Sequence, residues 1–115
     1  MKTSHDPRHI KRQRLVQELF RRDFHNQHVS KEAEQIISFQ QQIDEQIQKA
    51  APEFPIAKIN KTDLAVLRLA TYEFLIEKKV PENVIIDEAV ELAKEFGSST
   101  SPAFVNGVLG HITNL

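Results

Sequence analysis

The residues that could do chemistry in this 115-residue chain are a run of cations near the N-terminus, five histidines and an acidic cluster. Arg8, Lys11, Arg12 and Arg14, with Lys2, Arg21 and Arg22, give residues 1–22 seven basic groups against two acids, Asp6 and Glu18. The remaining 93 residues carry eight basic and fourteen acidic groups, so a net charge of −1 conceals a balance of +5 at one end and −6 elsewhere. Fields act locally, over a screening length of ~8 Å, and such an end can hold a polyanion. The alternative is a solvated helix face. His5 and His9 have metal-ligand spacing, but Asp6-Pro7 keeps a helix from presenting both on one side, and His25 with His28 supplies only two ligands. Asp87, Glu88 and Glu91 read as a wet helix face. The three glycines, Gly97, Gly107 and Gly110, form no phosphate loop, and the absence of cysteine removes thiolate chemistry. With no nucleophile beside a base, neither catalysis, nor a metal, nor a cofactor is expected.

The elements that must position these groups read as five helices and no strands, an all-α single domain over residues 1–115. Asp6-Pro7 caps and opens the first helix. A 100° wheel gathers Ile10, Leu15, Val16, Leu19, Phe20 and Phe24 on one arc and sets Lys11, Arg14, Glu18, Arg21 and Arg22 opposite. Arg8 and Arg12 fall nearer the apolar arc, in turns expected to project beyond the core. Ser30 caps a second helix running to about Ala50, with Ala33, Ile36, Ile37, Ile43 and Ile47 inward and glutamines outward. Pro52 and Pro55 form a linker.

A third helix starts near Asn60, with Asp63 placed for a capping box. It is apolar on nearly every side, which makes it the central helix. Its interior charges, Arg68 and Glu73, are expected to pair with helix ends or with acids on the next helix. Val80-Pro81 breaks it. The fourth helix runs from about Glu82 to Phe96, with Ile86, Ala89, Val90, Ala93 and Phe96 inward and Gly97 as its C-cap. Ser101 caps the fifth, Pro102 follows at its first position, and Gly107 and Gly110 inside it point to close helix packing.

A chain of this length with 40% hydrophobic residues supports one core. No apolar run approaches the ~18 residues of a membrane span, and the basic start is not followed by a secretory apolar segment. These features point to a cytoplasmic chain.

Two stretches carry a specific resemblance. LRLATYE at 67–73, the break at Pro81, IIDEAVELAKEFG at 85–97 and FVNGVL at 104–109 stand in the order and spacing of the C-terminal half of the NusB family of transcription antitermination factors. RQRLVQELF at 12–20 is similar to that family's opening helix. The resemblance implies a helical domain that binds the boxA element of nascent rRNA transcripts together with the ribosomal protein NusE, in an assembly on RNA polymerase. It further implies RNA contacts from Arg8, Lys11, Arg12 and Arg14, with Thr100 and Phe104 nearby, and a NusE face at Phe20 and Asp63. Core packing is the alternative for Phe104. The chain is shorter than typical members by one short helix, and Pro102 and Ala103 stand where polar or basic residues are common.

Two other readings remain open. One is the RNA-binding module found fused to rRNA cytosine methyltransferases, against which the lack of any methyltransferase sequence after Leu115 weighs. The other is a protein-interaction domain that has lost RNA, which an exposed patch around Phe20 and Phe24 would favour.

Overall fold

In the computed structural model, which describes residues 6–114, three helices begin at a side chain that caps them. The helices are α1 (Pro7–Phe24), α2 (Lys31–Ser38), α3 (Gln40–Ala50), α4 (Lys61–Tyr72), α5 (Glu82–Phe96) and α6 (Ser101–Thr113). His5, one half of the metal-spaced pair, lies outside the described residues. The Asp6 carboxylate accepts from the Arg8 amide at 2.9 Å and opens α1. The Ser30 hydroxyl accepts from the Ala33 amide at 3.2 Å and opens α2. At α4, Asn60 accepts from the amides of Thr62 and Asp63, but Asp63 does not close the expected capping box. One of its carboxylate oxygens is buried without a hydrogen-bond partner.

The described residues form six α-helices rather than five, because the expected second helix breaks at Phe39. There the chain leaves helical geometry (φ −105°, ψ 12°) and the Phe39 amide closes tightly on the Ile36 carbonyl at 3.0 Å. The break lets the Phe39 ring lie half-buried, 6.2 Å from Tyr72. Helix α2 still buries Ala33 and Ile36, and α3 buries Ile43, Ile47 and Ala50.

Helix α4 is the axis of the fold, as its all-round hydrophobicity predicts. Every residue from Asp63 to Thr71 is buried, and α1, α3, α5 and α6 pack around it. It then widens into a π turn, Glu73–Glu77, closed by the Lys78 amide on the Glu73 carbonyl at 3.0 Å. Lys78 ends it in the left-handed conformation, φ 56°. The buried face of α5 is rotated by one residue from the expected one. Ile85, Glu88, Ala89, Leu92 and Ala93 point inward, while Ile86, Val90 and Phe96 are only half-buried.

Gly97 is the C-cap of α5, as expected, whereas the expectation for Gly107 and Gly110 fails. Gly97 ends α5 with φ −98° and ψ −165°, extended backbone open to any residue. Its constraint is space, since a Cβ there falls 2.4 Å from the Ser101 hydroxyl and 2.8 Å from the Ala93 carbonyl. Ser101 is not the cap of α6. It is the first helical residue, and its hydroxyl accepts from the Ser98 amide at 3.0 Å, tying the turn between α5 and α6. Gly107 and Gly110 meet nothing within 4 Å of an added Cβ, so close packing does not account for them. Gly107→Ala and Gly110→Ala are therefore expected to stabilise the fold by about 0.5–1 kcal/mol each, through helix propensity alone. Gly97→Ala is expected to cost about 1–3 kcal/mol by overpacking. Urea unfolding midpoints of the three variants check the opposite signs.

Candidate nucleic-acid and partner surfaces

Side-chain geometry divides the four candidate cations of α1. Arg12 is engaged inside the protein, with only 11% of its side chain exposed. Its Nε and Nη2 donate to the two carboxylate oxygens of Glu73 at 2.9 and 2.8 Å, and its Nη1 donates to Glu88 at 3.0 Å. The expectation that Arg12 projects beyond the core is thus corrected: α1 runs alongside the end of α4 and the middle of α5, and the guanidinium neutralises a carboxylate from each. Glu73 pairs with this first helix and not with the next one. Glu88, read from sequence as part of a wet acidic face, is 1% exposed.

His9 extends the same network. Its ring nitrogens lie 3.2 Å from Glu88 and 2.6 Å from Glu95, and Gln13 donates to Glu95 at 2.6 Å. A ring carrying both N–H groups donates to both carboxylates, whereas a neutral ring donates to one only.

Arg14 is half-exposed and engaged, bridging Glu18 at 2.7 Å and Glu32 at 3.3 Å. The Arg14 hydrogen bond, opposed by burial and aided by its charge, holds the Glu32 carboxyl below its ordinary range. Glu18, expected on the wet face of α1, is buried because it accepts from both the amide and the hydroxyl of Ser30 and so anchors the start of α2.

Arg8 and Lys11 are the cations left toward solvent. Arg8 is 83% exposed and, among the described residues, is held by its neighbour Asp6, at 3.2 Å. The Arg8 hydrogen bonds in turn keep the Asp6 carboxyl below its usual value. Lys11 is half-exposed, 4.0 Å from Glu32. Ile10, expected on the apolar arc, is 47% exposed.

Thr100 is exposed in the turn before α6. Phe104 is half-buried, and its ring meets that of Phe54 edge-to-face at 5.2 Å. Phe54 itself is 48% exposed. Phe104 thus serves the core on one side and a surface aromatic pair on the other. Phe54 was missed in the sequence because it sits between two prolines of the linker, where no periodicity marks a face. Its only signal is its type, a phenylalanine in a linker turn where a solvated residue is the usual choice.

The second candidate surface lies farther along α1. A groove of about 370 Å³ runs between α1, the start of α4 and the end of α5, lined by Val16, Gln17, Phe20, Arg21, Thr62 and Phe96. Phe20 stacks edge-to-face on Phe24 at 4.9 Å, and Phe24 is 55% exposed. Asp63 stands next to Thr62 and is buried, with the unpartnered carboxylate oxygen already described. Arg68, three residues past Ala65 on α4, closes the far end of α1. It donates to both Asp44 oxygens at 2.9 Å and to Asp23 at 3.1 Å. Its partners come from α3 and from the end of α1, not from the helix that follows.

Against known proteins, the model of the NusB family matches residues 3–114. The chain is 42% identical over 79 residues to the transcription antitermination protein NusB of Geobacter sulfurreducens, covering 69% of this chain and 57% of that protein. It is 51% identical over 72 residues to the NusB of Chloroflexus aggregans, covering 61% and 48%. The chain thus spans about half the length of the curated relatives it matches. A solved structure of Thermotoga maritima NusB superimposes with a TM-score of 0.82 at 32% identity, over 99% of this chain and 93% of the other. A structure described as antitermination factors NusB and NusE in complex with dsRNA matches with a TM-score of 0.79 at 21% identity, a likeness of fold.

Proposed function

The chain belongs to the NusB family, and from that premise we propose that it is a non-catalytic transcription antitermination factor acting in the cytoplasm on nascent rRNA transcripts. It binds boxA-type single-stranded RNA together with NusE and joins RNA polymerase through that assembly. The observation that carries the reading is the aromatic pair Phe54–Phe104, partly open to solvent at the start of α6 beside Thr100. Single-stranded RNA is held by phosphate contacts and by stacking of splayed bases on aromatic rings. Phe104 and Phe54 supply rings, and Arg8 and Lys11 supply phosphate contacts. Arg14 reaches the same helix face but is shared with Glu18 and Glu32, and Arg12 supports this surface from within through Glu73 and Glu88.

NusE docks on the groove at Phe20. Asp63, the acid that the resemblance assigns to that face, follows the lining residue Thr62 in sequence. The exposed ring of Phe24 also favours the second reading, a protein-interaction domain that has kept this groove and binds RNA weakly or not at all.

Fluorescence anisotropy of a labelled boxA RNA, with and without NusE, separates the two. Preference over a scrambled RNA, tighter binding with NusE and a loss of about 5- to 150-fold in Phe54→Ala are expected, since one stacked base contributes about 1–3 kcal/mol. A hairpin duplex of the same sequence serves as competitor, because the solved complex of similar fold contains dsRNA. No RNA binding in the presence of NusE favours the protein-interaction reading.

A further inference from the structure

A second groove, of about 470 Å³, opens beside the exposed cations of α1. One wall is Arg8 and Lys11. The other is built from Lys31, the first residue of α2, and Lys79, just past the left-handed Lys78 that ends the π turn. Leu15, Leu69 and Tyr72 are part of its lining, and Tyr72 is partly open to solvent. Its charged lining is Arg8, Lys11, Arg12, Lys31 and Lys79 against Glu32, Glu73 and Glu77. Arg12 and Glu73 cancel one another at 2.8 Å, which leaves four cations facing two acids. Lys31 and Lys79 are exposed and enter no ion pair among the described residues.

We propose that this groove is a continuation of the RNA track, holding one or two nucleotides of the single strand that runs on from Arg8 and Lys11, with Lys31 and Lys79 on its phosphates and a base against Tyr72. The inference rests on the RNA-binding reading above and extends it to Lys31, Lys79 and Tyr72, to which the resemblance assigns no RNA contact. The occupant follows from what surrounds the groove. It shares Arg8 and Lys11 with the candidate RNA surface, so a strand held there reaches it without a break. Its lining holds more cations than acids and joins them to aliphatic surface and one aromatic ring, the combination that single-stranded nucleic acid needs and that an inorganic anion does not. Its volume falls within the range of roughly 300–1,000 Å³ typical of pockets for small ligands, ample for a nucleotide.

Tyr72 offers a direct readout. It is the chain's one tyrosine, and there is no tryptophan, so the intrinsic emission of the protein reports this groove alone. Titration of the full chain with a boxA RNA carrying several extra nucleotides at either end is expected to quench that emission, after correction for absorption by the RNA, while a core boxA RNA quenches it less. In the anisotropy assay, Lys31→Ala/Lys79→Ala is expected to lower the log–log salt slope by about 1.4, two contacts at roughly 0.7 each. Both lysines are exposed, so the thermal midpoint of the double variant should match that of the parent. Unchanged slope and unquenched emission, with Arg8→Ala still weakening binding, would overturn the groove and leave the RNA reading standing. No RNA binding by the parent chain, with or without NusE, would overturn both. Quenching by polyglutamate equal to that by RNA would assign the groove to acidic protein and overturn the inference.

Discussion

Arg12→Ala is expected to lower the melting temperature by roughly 15–25 °C, because it leaves Glu73 buried without its guanidinium and removes one of the partners of Glu88. Removing one partner of a buried ion pair costs about 3–5 kcal/mol. A domain of this size shifts by about 4–6 °C for each of those. Here the conditions for a large effect are met: the guanidinium binds Glu73 through two parallel hydrogen bonds, and Glu88 has only 2% of its side chain exposed. Arg12→Lys keeps the charge but cannot span both oxygens of Glu73 and donate to Glu88 in the same plane, so an intermediate loss is expected. Circular-dichroism melts of the two variants check the order. The result also bears on RNA binding. Any loss of RNA affinity in Arg12→Ala counts as an effect on the interface only if measured below the variant's own melting transition. Arg8→Ala, whose parent side chain is 83% exposed, is the clean probe of phosphate contact.

Arg68→Ala is expected to cost about 3 kcal/mol, the low end of the same range, because Asp44 and Asp23 keep some access to water. This variant has a pH signature as well. Burial raises the Asp23 carboxyl, but the hydrogen bonds from Lys61 and Arg68 together outweigh that and hold it below its ordinary 3.8. A carboxyl depressed in the folded state adds stability above its unfolded pKa and loses it as pH falls through the folded value. The parent chain should therefore shed this contribution progressively below about pH 4. The pKa of Arg68 is raised further, its own burial being outweighed by Asp44 and then Asp23, so it stays charged throughout. In Arg68→Ala, Asp23 retains only Lys61, at 2.9 Å, and the slope of stability against pH in the acid range is expected to shrink. Urea midpoints at pH 3, 4, 5 and 7 for both chains test this. Parallel curves would show that Arg68 does not depress Asp23.

The parts of this fold legible in the sequence are those encoded by neighbours along the chain. Asp6 before Pro7, Ser30 before α2, Asn60 before α4 and Pro81 before α5 are each local signals, and the helices start where those residues stand. The central position of α4 was legible for a similar reason, since a segment apolar on all sides has nowhere else to go. The break at Phe39 was not. The glutamines around it favour helix and the isoleucine periodicity runs through it, while the reason for the break, the ring's place near Tyr72, lies 33 residues away in sequence.

The candidate site divides along the same line. A wheel of α5 drawn from Ile86 and Val90 turns Glu88 outward, and the arrival of Arg12 and His9 from α1 supplies partners for its inward position. Arg12 illustrates the limit from the other side. Its place in a basic run says cation, and nothing local says whether that cation faces RNA or a buried glutamate. Phe54 carries no periodic signal at all and emerges through its contact with Phe104.

The π turn at Glu73–Glu77 has a consequence for how this chain can change its length. Such a turn winds one residue more than an α-helical turn into the same ladder, and it is held here by the Lys78 amide reaching back five residues to Glu73. A single-residue deletion within 74–77 can be absorbed by the turn relaxing to ordinary α geometry, with the helix axis kept. The exit then keeps nearly its present direction, because the wider turn and the ordinary one sweep almost the same angle. Loss of one amino acid at this point would leave the hydrophobic interior of α4 in register and Lys79 on its present side of the molecule, so the segment is a place where relatives that share a core can differ in length by one residue.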